Sequence, residues 1–185
     1  MDWIKNKSLI SRHYESIWGS NCSFKYWDLG PMQELSKEFC VQIFEPYGKR
    51  NYWIYATNGM SNKDDEKLEI HLFCKEPDDS HVELLTIVAY YHLNVANVGL
   101  NHTVNFGRPW LPGSKCTYGL ISLPYLDGPN LEYEKIDGDP VRFLWLVPIT
   151  EAEKNYKVDH GIGALEGKFE SKKFNYLDSM RESVV

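Results

Sequence analysis

Long apolar runs are missing from this 185-residue chain, and no stretch approaches the roughly 18 to 20 apolar residues that cross a bilayer. The amino terminus, Met1-Asp2-Trp3-Ile4-Lys5, lacks the basic start and unbroken apolar stretch of a secretory signal, so a cytoplasmic location is expected. Cysteine is scarce. Cys22, Cys40, Cys74 and Cys116 lie 18, 34 and 42 residues apart, so no Cys-x-x-Cys pair nucleates a zinc or redox site, and reduced, mostly buried thiols are expected. The sequons at Asn21 and Asn101 matter only in a secreted protein and read as chance matches. Positive charge is in deficit, with 20 basic against 26 acidic residues and a net charge of −6. That balance disfavours nonspecific binding to nucleic acid or an anionic membrane and favours a basic partner.

Catalytic signatures are absent too. Neither a Gly-x-Ser-x-Gly elbow nor a phosphate-binding Gly-x-x-x-x-Gly-Lys-Ser/Thr loop occurs, and His81, His92, His102 and His160 have no partner at His-Glu-x-x-His spacing. His71 and Cys74 are three apart in a strand-like segment, which sends them to opposite faces. The acidic run Asp64, Asp65 and Glu66 lacks the alternating oxygen-ligand spacing of a calcium loop and reads as a solvated turn. No cofactor, metal site or enzymatic activity is expected.

What is present is enough to fold. The length suits one core, and a 43% apolar, 25% charged composition is far from the signature of disorder. Aromatics, at 14%, exceed what a core of this size needs and suit interfaces equally well.

Near-3.6-residue spacing of Trp3, Ile4, Ile10, Tyr14, Ile17 and Trp18, stopped by Gly19, predicts a first helix. Strands are expected over 24–27, 39–44, 52–57 and 68–74, with Pro46-Tyr47-Gly48 and Asn58-Gly59 as turns. In the last strand Leu68, Ile70 and Leu72 alternate with Glu69 and His71, the pattern of one wet face. Ser80-His81-Val82-Glu83 has capping-box spacing and opens a long, largely buried helix towards Gly99. Strands resume from Asn101, with 118–123 and the almost wholly apolar 141–149, the latter fitting a central strand covered on both faces. A second capping box, Thr150-Glu151-Ala152-Glu153, starts a short helix, and another is expected from Asp159 to about Lys168; 170–185 is polar and expected as a frayed, peripheral tail. The fold class is α+β: a mixed, mostly antiparallel central sheet flanked by helices, forming one domain over 1–185 with a core of about 23–169.

Two loops and an acidic stretch are candidates for partner binding. Arg108 and Trp110, on the Pro-stiffened loop 107–114, are the residue types most enriched at interface hot spots, although Trp110 plugging its own core is an equal alternative. Tyr125 and Asp127 set an aromatic face beside a carboxylate at a turn. Asp127, Glu132, Glu134, Asp137 and Asp139 form an acidic segment that either mimics phosphates against a basic cleft or is simply solvated. An exposed sheet edge is a further binding route.

The segment Tyr52-Trp53-Ile54-Tyr55-Ala56-Thr57-Asn58-Gly59-Met60-Ser61 resembles the strand and turn of suppressor-of-fused domains. The helix Glu83–Val98 and the stretch Asp137–Glu153, with its Pro148-x-Thr150-x-x-Glu153 helix start, follow in that family's order, as does His160-Gly161-Ile162-Gly163-Ala164-Leu165. The similarity spans roughly 23–169. It implies a protein-binding domain. Animal members carry a second domain and clasp a transcription-factor peptide between the two, whereas single-domain bacterial members look like immunity proteins or antitoxins that neutralise a toxin, often a nuclease, encoded in the adjacent gene. Three functions therefore stand: an immunity protein, a peptide-binding adaptor, and an enzyme with a dispersed site.

Overall fold

The computed structural model describes residues 3–29, 35, 39–62 and 66–185, with side chains from residue 8 onward. Helix α1 (Trp3–Trp18) is followed by β1 (Cys22–Lys25), β2 (Cys40–Phe44), β3 (Trp53–Asn58) and β4 (Leu68–Cys74). Then come α2 (Asp79–Asn94), β5 (Thr103–Asn105), β6 (Cys116–Ser122), α3 (Pro129–Glu132), β7 (Tyr133–Ile136), β8 (Asp139–Thr150), α4 (Glu151–His160) and α5 (Ile162–Ser171). The strands form one eight-stranded sheet in the order β1-β2-β3-β4-β8-β6-β5, and β7 pairs with β8 beside that path. The β4–β8 pair is parallel; the other pairs are antiparallel. The expected α+β class with a mostly antiparallel sheet is thus the observed one.

Strand β8 shows why. Side chains alternate across a sheet, so Leu144 and Leu146 enter a core shared with α2. Val141, Phe143, Trp145, Val147 and Ile149 enter a second core containing Ile10, Tyr14 and Trp18 of α1 and Leu165 of α5. A strand covered on both faces must be apolar throughout. The same double cover corrects the expectation of a wet face on β4: all seven of its residues are buried, and Glu69 and His71 are wholly inaccessible.

One helix start differs from the sequence pattern and one follows it. Helix α2 is capped by Asp78, whose side chain accepts from the Ser80 amide, while Glu83 is drawn to Arg108 instead of reaching back to Ser80. At α4 the capping box forms as expected, with Thr150 and Glu153 exchanging hydrogen bonds.

The segment after α5 is docked, not frayed. Arg181, 7% exposed, donates to both oxygens of the inaccessible Glu153 at 2.7 Å and to the Pro148 carbonyl at 3.0 Å. Tyr176 meets Tyr52, Phe73 and Trp145 edge-on. A charge buried this deeply needs its partner, so Glu153 fastens the final segment to the sheet.

Candidate partner-binding surface

The loop after β5 does not present Trp110. That indole is 1% exposed and donates to His81 Nδ1 at 3.2 Å, while His81 Nε2 donates to the Glu76 carbonyl at 3.2 Å. The apolar mass of the ring outweighs the loop's exposed setting, and the core alternative holds. Arg108 spends its guanidinium on the fold: it donates to Glu83 at 2.7 Å and to the carbonyls of Ser80, Pro109 and Trp110. Around this loop lies a groove of about 460 Å³ lined by Cys74, His81 and Asp178 among others. It brings a thiol, an imidazole and a carboxylate to one place, but both nitrogens of His81 are occupied. Burial lowers His81 to about 4 and pushes the Cys74 thiol up, the opposite of an activated thiol–imidazole pair.

The acidic segment is neutralised in large part. Glu132 accepts from Arg142 at 2.8 Å, Glu134 lies 3.4 Å from His13, and Lys67 pairs with Asp139. Asp127 turns inward and accepts from the indole N–H of Trp18 at 2.8 Å, joining this loop to the end of α1. Burial raises its pKa against the opposing pull of Trp18 and Arg50. A phosphate-mimicking row needs unpaired carboxylates, and these have cations or donors of their own. Asp64 and Asp65 lie outside the described residues. Among the described residues no group of three or more His, Cys, Asp or Glu side chains is placed to hold a metal.

Tyr125 is where the expectation and the surface coincide. It is 59% exposed, beside Leu126 at 47%, and its hydroxyl donates to Glu166 Oε1 at 3.0 Å. Its aromatic face therefore sits beside a carboxylate, but that carboxylate belongs to α5, not to Asp127. Together they border a groove of about 390 Å³ on the sheet face covered by α1 and α5. Leu120 and Ser122 of β6 with Trp145 and Val147 of β8 form its floor; Phe169, Phe174, Glu166 and Glu170 complete the wall. Glu166, Phe169 and Glu170 share one face of α5 because they are three and four residues apart. That spacing was the available sequence signal for a site that the loop-based reading did not include.

The strand-and-turn motif owes its residues to a buried carboxylate. Glu69 of β4 accepts from the amides of Gly59, Met60 and Ser61 and from the hydroxyls of Thr57 and Ser61. Gly59 takes φ = 110°, a conformation that strains any side chain. Burial raises the Glu69 pKa, and the hydroxyls of Ser61 and Thr57 with the amides of Ser61 and Gly59 oppose the shift. A residue pattern with this structural cause matches the family described as Suppressor of fused protein (SUFU) over residues 36–182. The chain belongs to the suppressor of fused family. The match reaches beyond Phe169 and takes in Arg181, in keeping with the docked final segment.

Suppressor-of-fused structures share the architecture. A homologue from Neisseria gonorrhoeae FA 1090 is 30% identical, covering 98% of this chain and 98% of that one, with a TM-score of 0.87. A chain of the Sufu–Fu complex is 13% identical over 97% of this chain and 92% of its own, with a TM-score of 0.73. Drosophila Suppressor of Fused is 15% identical over 95% of this chain and 50% of its own, with a TM-score of 0.65. The last two identities speak for the fold alone. No functionally curated protein matches the sequence.

Proposed function

We propose that this suppressor-of-fused domain is a non-catalytic protein-binding module in the cytoplasm, and that it acts as an immunity protein which holds and neutralises a toxin encoded in the adjacent gene. The observation that carries the binding reading is the groove beside Tyr125. It is an apolar, aromatic concavity with carboxylates on its rim, on a chain of net charge −6. Aromatic anchors surrounded by a polar rim are the usual anatomy of a protein interface. The acidic balance supports a basic partner. A peptide-binding adaptor is the second reading, favoured by the fold's occurrence in the Sufu–Fu complex.

Co-expression with the adjacent gene product decides between them. A stable complex and rescue of growth are expected. Neither complex nor rescue overturns the immunity reading, whereas binding to a regulator without growth rescue favours the adaptor.

A further inference from the structure

The chemistry of the Tyr125 groove is more specific than an apolar docking face. Its floor is aliphatic and aromatic, its wall carries Phe169 and Phe174, and two carboxylates, Glu166 and Glu170, stand on the same helical face. Neither carboxylate has an ion-pair partner among the described residues: Glu166 is held by the Tyr125 hydroxyl at 3.0 Å, and Glu170 is exposed. The nearby cation Lys168 is turned away, over the ring of Tyr156. Contrast the other acidic residues of the region, where Glu132 and Asp139 already have an arginine and a lysine. About 390 Å³ is at the small end of ligand sites, roughly 300 to 1,000 Å³, and suits one long side chain better than a helix.

Resting on the protein-binding reading above, we propose that this groove receives an arginine side chain of the partner protein. The methylenes of that arginine lie on Leu120 and Val147, its guanidinium stacks on Phe169, because Arg181 already lies over the Phe174 ring at 4.4 Å, and its N–H groups reach Glu166 and Glu170. Arginine is chosen over lysine because a planar, weakly hydrated cation both stacks on rings and donates in a fork to carboxylates. The Tyr125 hydroxyl is a positioning group: by donating to Glu166 it fixes that carboxylate at the rim.

The test uses the whole chain and N-acetyl-arginine amide as the probe, followed by NMR through the indole N–H of Trp145 and the amides of α5. Saturable shifts confined to the groove are expected, absent with the isosteric but uncharged N-acetyl-citrulline amide and weaker with N-acetyl-lysine amide. Glu166→Gln with Glu170→Gln should weaken the arginine response about tenfold or more, the scale of losing charged hydrogen bonds, while the unliganded spectrum shows the fold intact. Tyr125→Phe, which deletes one hydroxyl, should weaken it by a smaller factor. No response, an equal response to citrulline, a stronger response to lysine, or binding indifferent to the glutamine pair each overturns the proposal. If the purified complex with the adjacent gene product keeps its affinity in the glutamine double variant, the arginine site is refuted while the protein-binding reading stands.

Discussion

Acid should destabilise this protein through His71, and the effect can be isolated. The ring is wholly buried on β4, with Trp18 and Phe73 at 5.2 and 5.0 Å between centroids, and neither nitrogen has a hydrogen-bond partner among the described residues. Desolvation lowers its pKa to about 3, so the folded state holds it neutral. An unfolded histidine titrates near 6.5, so the stability this provides is fully present above about pH 6.5 and lost as pH falls towards the folded value. At about pH 5 the unfolded chain has gained its proton and the folded one has not, a loss of about 2 kcal/mol, rising to about 5 kcal/mol below the folded pKa. His81, lowered to about 4 mainly by burial, shifts stability in the same direction. Asp127 and Glu69, whose pKa values burial raises, shift it in the opposite direction. The wild-type curve alone is therefore ambiguous, and the comparison must be with His71→Leu, which keeps the volume and removes the titration. Urea unfolding at about pH 7 and about pH 5, read by tryptophan fluorescence, should show the wild type losing about 2 kcal/mol more than the variant between the two. Parallel losses would refute the claim that a neutral imidazole is enforced at this position.

The same equilibrium measurements check three further expectations. Trp110→Ala should cost about 3 to 5 kcal/mol, the range for emptying a buried aromatic site, and Trp110→Phe distinctly less; a variant within 1 kcal/mol or so of wild type would return Trp110 to the surface. Arg181→Met should cost about 3 to 5 kcal/mol by leaving Glu153 buried and uncompensated, and adding Glu153→Gln should recover part of that loss; no recovery would show that the ion pair is not what anchors the final segment. Asp127 carries a raised folded pKa, so the wild type loses stability as pH climbs from its ordinary 3.8 through that value, whereas Asp127→Asn does not. The variant's stability relative to wild type should therefore rise between about pH 4 and pH 7 in urea titrations, and a falling difference would show that the Trp18 bond and Arg50 outweigh burial.

Much of the fold was legible because its signals are local. The period of α1, the apolar run of β8 and the Thr150–Glu153 capping box each depend on neighbours within a few residues, and each forms where expected. The errors fall where a distant partner decides. Glu69 and His71 look like the wet positions of an alternating strand until α1 is known to cover that face. Ser80 loses the cap of α2 because Arg108, 28 residues away, takes Glu83 and the Ser80 carbonyl. The final segment has no periodicity, and what docks it is distant in sequence: Arg181 pairs with Glu153, 28 residues earlier, and Tyr176 packs on Tyr52, Phe73 and Trp145.

Candidate binding residues were harder to read than the fold, for a reason visible in the side chains themselves. Composition identifies residue types suited to interfaces, yet Arg and Trp serve interiors by the same properties: a fork of donors, and a large ring with one polar atom. Arg108 and Trp110 spend those properties within the chain, on Glu83 and His81, so they have little left to offer a partner. Acidic residues pose the same problem. A row of carboxylates in sequence says nothing about the partners that folding brings to them, and the side chains of Arg142, Lys67 and His13 arrive from β8, the segment before β4 and α1. What distinguishes Glu166 and Glu170 is that neither has an ion-pair partner among the described residues beside an open aromatic groove, a property of the assembled surface and not of any window of sequence. Tyr125 was singled out as an aromatic beside a carboxylate at a turn, and it is exposed there; the helix face opposite it was not, because α5 contributes three side chains spread over one turn. A candidate interface in this fold is therefore better sought among charged groups left unpaired after folding than among residue types enriched at interfaces.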